Sequence, residues 1–162
     1  MLRRSASLVA IWFATYGLFS GAAHAQSASI ETFLSEGRLA DGVAEMETAL
    51  KKNPDDQQAR FSLGVTQFFQ AVEKLGQDQF RYGLLGNRRR SMPFMRLPIG
   101  ENENPEQLSY LKARAIIHTF VDGLTVAEKT LAATKPANVK LRLKVGEVRL
   151  DREDRGLLRQ RS

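Results

Sequence analysis

The pattern that most restricts the fold of this chain is a helical spacing of apolar residues, interrupted only once. On the amino-terminal side of the interruption, residues three or four apart are apolar: Leu39, Val43, Met46 and Leu50. The same spacing returns on the other side at Phe61, Val65, Phe68, Val72 and Leu75. Apolar residues with this period form one stripe of an amphipathic helix, and the stripe is normally buried. The sequence therefore predicts two helices that pack together as a hairpin.

Local signals set the ends of these helices. Asn53-Pro54 ends the helix from about Leu39 to Lys52, because proline disfavours helical geometry in the residue before it. Asp55 followed by Gln58 has the form of a capping box that starts the next helix, and Gly76 is expected to stop it. A shorter helix is predicted upstream, with Ser29 as its N-cap, Gly37 at its end, and an apolar face of Ile30, Phe33 and Leu34.

At this junction the chain resembles the tetratricopeptide repeat (TPR) family, whose units run thirty-four residues. The residues that carry the resemblance are Gly37, Gly42, Met46, Ala49-Leu50, Asn53-Pro54 and Leu63-Gly64. They match one repeat ending and the beginning of the next, over about fifty residues. Arg60 and Gln67 stand where the family has aromatic residues. The resemblance implies paired helices with a groove that binds a protein or peptide, lined here by Arg60, Gln67 and Gln70. An ordinary helical hairpin with the same spacing is the alternative.

The first twenty-five residues have the three parts of a bacterial-type secretory signal peptide. Arg3 and Arg4 precede the uncharged segment from Leu8 to Phe19, and Ala23-His24-Ala25 fits a signal peptidase. As a helix the uncharged segment would rise about 18 Å, which is short for a hydrocarbon core of about 30 Å. We therefore expect cleavage before Gln26, a periplasmic or secreted protein, and no membrane span after cleavage. An uncleaved amino-terminal anchor is the alternative.

Composition narrows the function classes. The net charge of +6 includes Arg3 and Arg4, which would leave with the signal peptide, so the surplus is too small to favour a dedicated nucleic-acid binder. The chain has no cysteine, which excludes disulfides, thiolate metal sites and cysteine nucleophiles. We predict one domain over residues 26–135, with stability that comes from packing.

Residues 86–104 form a long predicted loop inside this domain. The loop combines cationic residues with apolar ones, and its candidate binding residues are Arg88, Arg89, Arg90, Phe94 and Arg96. Long loops in compact domains are often functional. The loop is interpreted either as a connection tied to the core by its apolar side chains or as a recognition loop for anionic partners.

Further helices are predicted on both sides of the loop. Gln79 to Leu85 is expected to form two turns. Asn104-Pro105 is expected to start the longest helix, which continues to about Ala133 with a kink or break at Gly123. Its predicted inward residues are Leu108, Leu111, Ala115, Ile117, Phe120, Leu124, Ala127 and Leu131. This helix is expected to cover the open face of the TPR-like hairpins.

The period then changes to two residues. Val139, Leu141, Leu143 and Val145 alternate with basic residues, which predicts a short strand or β-hairpin within residues 136–151. Residues 152–162 are predicted to be a charged tail. Asp151, Glu153 and Gly156 match three positions of an EF-hand calcium loop, but Arg155 and Ser162 occupy ligand positions. We therefore predict no calcium binding, although the tail resembles a shortened or diverged EF-hand loop.

Catalytic signals are weak. His118 and Asp122 are four residues apart, but no G-x-S-x-G motif and no glycine-rich phosphate loop accompanies them. We predict no enzyme activity, no metal and no cofactor. The fold is expected to be mainly α. The favoured function is that of an exported TPR-like protein-protein interaction module, an adaptor or scaffold of the cell envelope. The alternative is an envelope-surface binder of anionic lipid, glycan or nucleic acid through loop 88–96.

Overall fold

A computed structural model describes residues 29–84, 97–135, 139–143 and 146–153 of the chain. These residues form four α-helices: α1 (Ile30–Glu36), α2 (Leu39–Lys52), α3 (Gln57–Arg81) and α4 (Tyr110–Ala132). The expectation of a mainly helical protein is confirmed. The signal-peptide prediction for residues 1–25 lies outside the described residues, as do residues 85–96 of the loop and residues 154–162 of the tail.

The first two helices begin and end where their local sequence signals predict. Ser29 is the N-cap of α1, and Gly37 ends the helix in the left-handed conformation with φ of 72°. Glycine adopts this conformation without a Cβ clash, so the chain reverses there within two residues and begins α2 at Leu39. α2 ends at Lys52, directly before Asn53-Pro54.

α3 differs from its prediction at both ends. Its N-cap is Asp56 and not Asp55, and the Asp56 side chain accepts a hydrogen bond from the backbone N–H of Ala59 at 2.9 Å. The predicted stop at Gly76 is wrong, because the helix continues to Arg81. Of the separate helix predicted from Gln79 to Leu85, only Gln79 to Arg81 are therefore helical, as the end of α3. Tyr82 to Leu84 are not helical, and Leu85 lies outside the described residues. Gly76 is buried in the helix interior, where a methyl group would lie 2.8 Å from Arg152 Cγ.

α4 begins later than predicted and continues without a break. Its N-cap is Ser109, whose hydroxyl accepts from the Lys112 backbone N–H at 3.2 Å, so the predicted start at Pro105 is wrong. The break predicted at Gly123 is also absent from α4. Gly123 instead allows a close helix crossing, since a methyl group there would lie 2.8 Å from Ala71 Cβ of α3. Gly64 makes a similar crossing against Leu131.

The predicted apolar face of α4 is partly wrong. Ile116 and Ala127 are buried, whereas the predicted inward residues Leu111, Ala115 and Ile117 are exposed. Leu111 has 73% of its surface exposed. The spacing alone did not separate these two faces, because apolar residues occur almost all round this helix.

Three apolar clusters form the core around α3. Phe33, Met46, Ala59 and Leu63 join α1, α2 and α3. Ile30, Leu34 and Leu39 form a second cluster, which Val65 and Phe69 of α3 contact. Leu75 and Ile116 form the third between α3 and α4. α3 thus packs against each of the other three helices and is the central element of the described fold.

The carboxyl-terminal segment, residues 139–143 and 146–153, lies along α1 and α3 and is named here the strap. Leu141, Val148 and Leu150 pack on the second cluster. Of the predicted alternating residues, Leu141 is therefore inward as expected, Leu143 is exposed, and Val145 lies outside the described residues. No β-strand occurs among the strap residues that are described, and the predicted β-hairpin is not confirmed. None of the four helices is both long enough and apolar enough to span a bilayer.

Candidate functional site

Two of the three predicted groove residues share one side of α3. Arg60 and Gln67 are seven residues apart, which places them within about 20° of each other around the helix. Gln70 lies about 80° away from Arg60 on the same helical geometry. All three side chains are partly buried. We name the surface formed by Arg60 and Gln67 the α3 strip.

The α3 strip lies between two packed faces. Ala59 and Leu63 lie on one side of it and pack in the cluster with Met46 of α2. Gly64 and Ala71 lie on the other side and contact α4. The strip therefore faces the space between α2 and α4, with Gln70 towards the α2 side.

The strip holds polar atoms that are buried without a hydrogen-bond partner among the described residues. The Arg60 guanidinium donates to the Pro54 carbonyl oxygen, but its Nε atom is buried and unpartnered. The Oε1 atom of Gln67 is also buried and has no hydrogen-bond partner among the described residues. A buried polar group without a partner costs about 1–3 kcal/mol, and most such groups in proteins are paired. Because the protein itself covers both atoms, a ligand can pair with this donor and this acceptor only after the two side chains turn outward.

The other predicted binding residues, Arg88, Arg89, Arg90, Phe94 and Arg96, lie outside the described residues. The part of the loop that is described is anchored to α3 and α4. Leu97 packs against the cluster of Leu75 and Ile116. The Asn102 side chain donates to the Phe80 carbonyl oxygen at 2.9 Å, near the end of α3.

Sequence reasoning missed a set of polar side chains that hold the strap. At one end, the Gln58 side chain accepts from the backbone N–H of Lys140 at 2.9 Å and donates to the carbonyl oxygen of the same residue at 3.0 Å. At the other end, Glu73 accepts from the Asp151 N–H at 2.7 Å, and Gln77 donates to the Asp151 carbonyl oxygen at 2.9 Å.

Between these ends, α1 supplies two further acceptors. Glu31 accepts from the Arg142 N–H at 2.9 Å, and the Leu34 carbonyl oxygen accepts from the Arg149 N–H at 2.8 Å. We name Glu31, Gln58, Glu73 and Gln77 the strap clamp. No local pattern signals it, because each of its residues is also an ordinary helix surface residue, and Gln58 fits a capping box equally well.

The hydrogen bonds of the clamp affect the pKa of the Glu31 carboxyl. Burial raises the pKa of its carboxyl, but hydrogen bonds from the Arg142 and Glu31 backbone N–H groups and from the Ser29 hydroxyl outweigh burial. The pKa of Glu31 is therefore below its ordinary value of 4.5. The carboxylate form is the one that holds the strap.

A half-open cavity of about 300 Å³ lies beside the clamp, where Lys140 passes the amino-terminal ends of α1 and α3. Its lining is mixed: Ser29, Ile30, Glu31, Met46, Ala49, Asp56, Gln58, Ala59, Ser62 and Lys140. Glu31 and Asp56 bring carboxylates to this space, while Ile30, Met46 and the two alanines provide an apolar wall.

His118 and Asp122 are both exposed on α4. Within the described ranges, no three histidine, aspartate or glutamate side chains are grouped as metal ligands. In the EF-hand-like tail, the Glu153 carboxylate accepts from the Gly100 N–H at 3.2 Å.

Comparison with known proteins adds no relative. The chain matches no protein-family model, no curated protein and no solved structure.

Proposed function

We propose that this chain is an exported, non-catalytic protein-protein interaction module of the cell envelope. It acts as an adaptor or scaffold that holds a segment of a partner protein along the α3 strip, between α2 and α4. The observation that carries the proposal is the pair of buried, unpartnered polar atoms, Arg60 Nε and Gln67 Oε1, on the same side of one helix.

The strip suits a polypeptide more than a small substrate. A peptide backbone offers a carbonyl oxygen to Arg60 and an N–H to Gln67. At 1.5 Å per residue, Arg60 and Gln67 lie about 10 Å apart along α3. When the two side chains turn outward to meet the peptide, pairing both atoms removes two desolvation costs at once, which favours the bound state.

Close helix contacts support the TPR-like part of the proposal. A methyl group at Gly42 would lie 3.1 Å from Phe33 Cβ, and one at Gly64 would lie 2.6 Å from Leu131 Cγ. Both glycines belong to the motif that carries the resemblance. Glycine at these positions lets the helices of a hairpin approach closely, as paired-helix repeats require.

The test is site-specific photocrosslinking of the full chain expressed in a bacterial envelope. A photoreactive amino acid at Gln70 is expected to capture one defined protein, which mass spectrometry identifies. The matched control places the same group at Glu128, an exposed position of α4. The purified partner should then bind the Arg60→Ala/Gln67→Ala double variant at least tenfold more weakly, since two buried hydrogen bonds are lost.

A variant of the basic loop separates this proposal from its alternative. A chain with Arg88, Arg89, Arg90 and Arg96 replaced by alanine should retain the partner, and binding should change little between low and high salt. Loss of binding in this variant, with steep salt dependence, would move the site to loop 88–96 and contradict the groove proposal.

Export is tested separately. The amino-terminal sequence of the protein recovered from the periplasm or medium should begin at Gln26. Recovery of the intact chain from the membrane fraction would instead support the uncleaved anchor.

A further inference from the structure

The strap clamp contacts the strap mainly through its backbone. At Lys140 and again at Asp151, clamp side chains bind both the N–H and the carbonyl oxygen of a single strap residue. Two opposed residues of an antiparallel β-sheet exchange the same pair of hydrogen bonds. The clamp therefore replaces a neighbouring strand, and the contacts that it makes are independent of the strap's side chains.

The side chains of the strap supply a pattern. Leu141, Val148 and Leu150 contact the buried cluster of Ile30, Leu34 and Leu39. The alternate residues Lys140, Arg142 and Arg149 are exposed, and the helix surface beneath them contributes the carboxylates of Glu31 and Glu73. The surface thus fits two short stretches in which apolar and basic residues alternate, Lys140 to Arg142 and Val148 to Leu150, and Gly146 lies in a turn between them.

This combination is how proteins commonly recognise an added strand: backbone hydrogen bonds provide affinity, and pockets for alternate side chains provide specificity. The clamp extends from Gln58 to Gln77, about 28 Å along α3. A fully extended segment of that length has eight or nine residues at about 3.3 Å each. The strap has twelve residues from Lys140 to Asp151, so it is not extended throughout.

We propose that the clamp face of α1 and α3 is a binding site for a segment of a partner protein in which apolar and basic residues alternate in two short stretches. In this structure the chain's own strap occupies the site. At its Gln58 end the site lies on the opposite side of α3 from the α3 strip, because Gln58 and Val65 are about 160° from Arg60 and Gln67 around the helix. At the other end Gln77 is about 100° from Arg60. It therefore goes beyond the function proposed above and does not depend on it.

The strap leaves part of the site unfilled. The cavity of about 300 Å³ beside Lys140 lies next to Gln58 and Glu31, and a longer segment that entered it would bury additional surface. A strap joined to the same chain competes at an effective concentration in the millimolar range. The free site is consequently exposed to a partner only when the strap is weakened or when the partner makes additional contacts.

The experiment compares the full chain with a full-length Leu141→Asp/Leu150→Asp variant, whose strap can no longer occupy the apolar cluster. The probe is a fluorescent peptide with the natural sequence of residues 139–151. We expect it to bind the variant at least tenfold more tightly than the unaltered chain. A probe in which both leucines are aspartate should bind neither protein. Absence of binding to a variant that keeps its helical circular dichroism would overturn the proposal.

Further replacements locate the binding. Adding Gln58→Ala to the variant should reduce peptide binding about tenfold, whereas adding Arg60→Ala/Gln67→Ala should leave it unchanged. The reverse result would place the peptide on the α3 strip and overturn the clamp site. Failure of the α3 strip to bind an envelope protein leaves this outcome unaffected, so the two proposals fail separately.

A second measurement covers the case in which the variant unfolds. A protease site placed between Lys135 and Val139 allows the folded full chain to be cleaved, so that the strap is held without a covalent link. We expect the fragment to remain bound at first and then to exchange with excess fluorescent peptide. A fragment that separates at once, with no peptide bound in its place, would contradict the proposal. A stable dimer that exchanges straps would assign the site to a second copy of this chain and overturn the assignment to a different partner.

Discussion

The side-chain amide of Gln58 makes two hydrogen bonds to the backbone of Lys140, one to its N–H at 2.9 Å and one to its carbonyl oxygen at 3.0 Å. The first turn of α3 is thereby joined to a residue 82 positions later in the chain. The contact fixes where the strap begins and which of its residues face the core.

Replacement of Gln58 tests this contact. Gln58→Ala should lower the free energy of unfolding by about 1–2 kcal/mol, because two hydrogen bonds of about 0.5–1.5 kcal/mol each are lost. Gln58→Glu, which keeps the acceptor but places a carboxylate oxygen against the Lys140 carbonyl oxygen, should cost at least as much. Urea denaturation measures both, and hydrogen exchange should show faster exchange at the Lys140 amide. Unchanged exchange at Lys140 in Gln58→Ala would show that the strap is held in another way.

The neighbouring aspartates distinguish the observed start of α3 from the predicted one. Asp56→Ala should cost about 1 kcal/mol, since the N-cap side chain satisfies an amide of the first helical turn. Asp55→Ala is the matched control and should cost less than about 0.5 kcal/mol, because the Asp55 side chain makes an exposed ion pair with Lys135 and such pairs contribute little. Thermal or urea unfolding of the two variants decides between them, and equal costs would contradict a cap at Asp56.

The crossing of α3 and α4 depends on small residues. Gly123→Ala should destabilise the protein by about 1–3 kcal/mol through overpacking, since the added methyl would lie 2.8 Å from Ala71 Cβ. In an Ala71→Gly background the same change should be much less costly. The coupling between the two positions is measured with a double-mutant cycle. Additive effects would mean that the helices shift apart without cost.

Glu31 predicts how stability depends on pH. The pKa of its carboxyl is lower in the folded chain than the ordinary value of 4.5. Its contribution to stability is therefore complete above about pH 4.5 and is lost as the pH falls through the lower, folded value. The difference in free energy of unfolding between the unaltered chain and Glu31→Gln should shrink from pH 7 to pH 3. A difference that grows as the pH falls would show that the pKa is raised instead.

The sequence predicts correctly those helix ends that are determined by residues next to them in the chain. Gly37 and Asn53-Pro54 act through their own backbone, and α1 and α2 begin or end beside them as expected. The predicted helix end at Gly76 is wrong, because whether a glycine stops a helix or lies inside it depends on what packs against the glycine. The packing residue is Arg152, which lies far away in the sequence.

Pro105 illustrates the same limit. Asn-Pro is a good helix start in isolation, but the next residue, Glu106, donates its N–H to the Arg81 carbonyl oxygen at 2.9 Å. That contact holds the segment against the end of α3, so α4 begins only after its N-cap, Ser109. For the candidate sites, Arg60 and Gln67 come from the resemblance to the TPR family. The clamp residues do not, because their role depends on a strap that only the folded chain places beside them.

The distance along the chain between the clamp and the strap has a consequence for folding. Glu31 and Arg142 are 111 residues apart, and Gln58 and Lys140 are 82 apart, whereas α1, α2 and α3 follow one another directly. Contacts between distant residues close large loops and form slowly, while neighbouring helices assemble fast. We therefore expect the helical hairpins to form first and the strap to dock last. During that interval the carboxylates and amides of the clamp stand uncovered, and the newly made chain is most open to capture by another polypeptide.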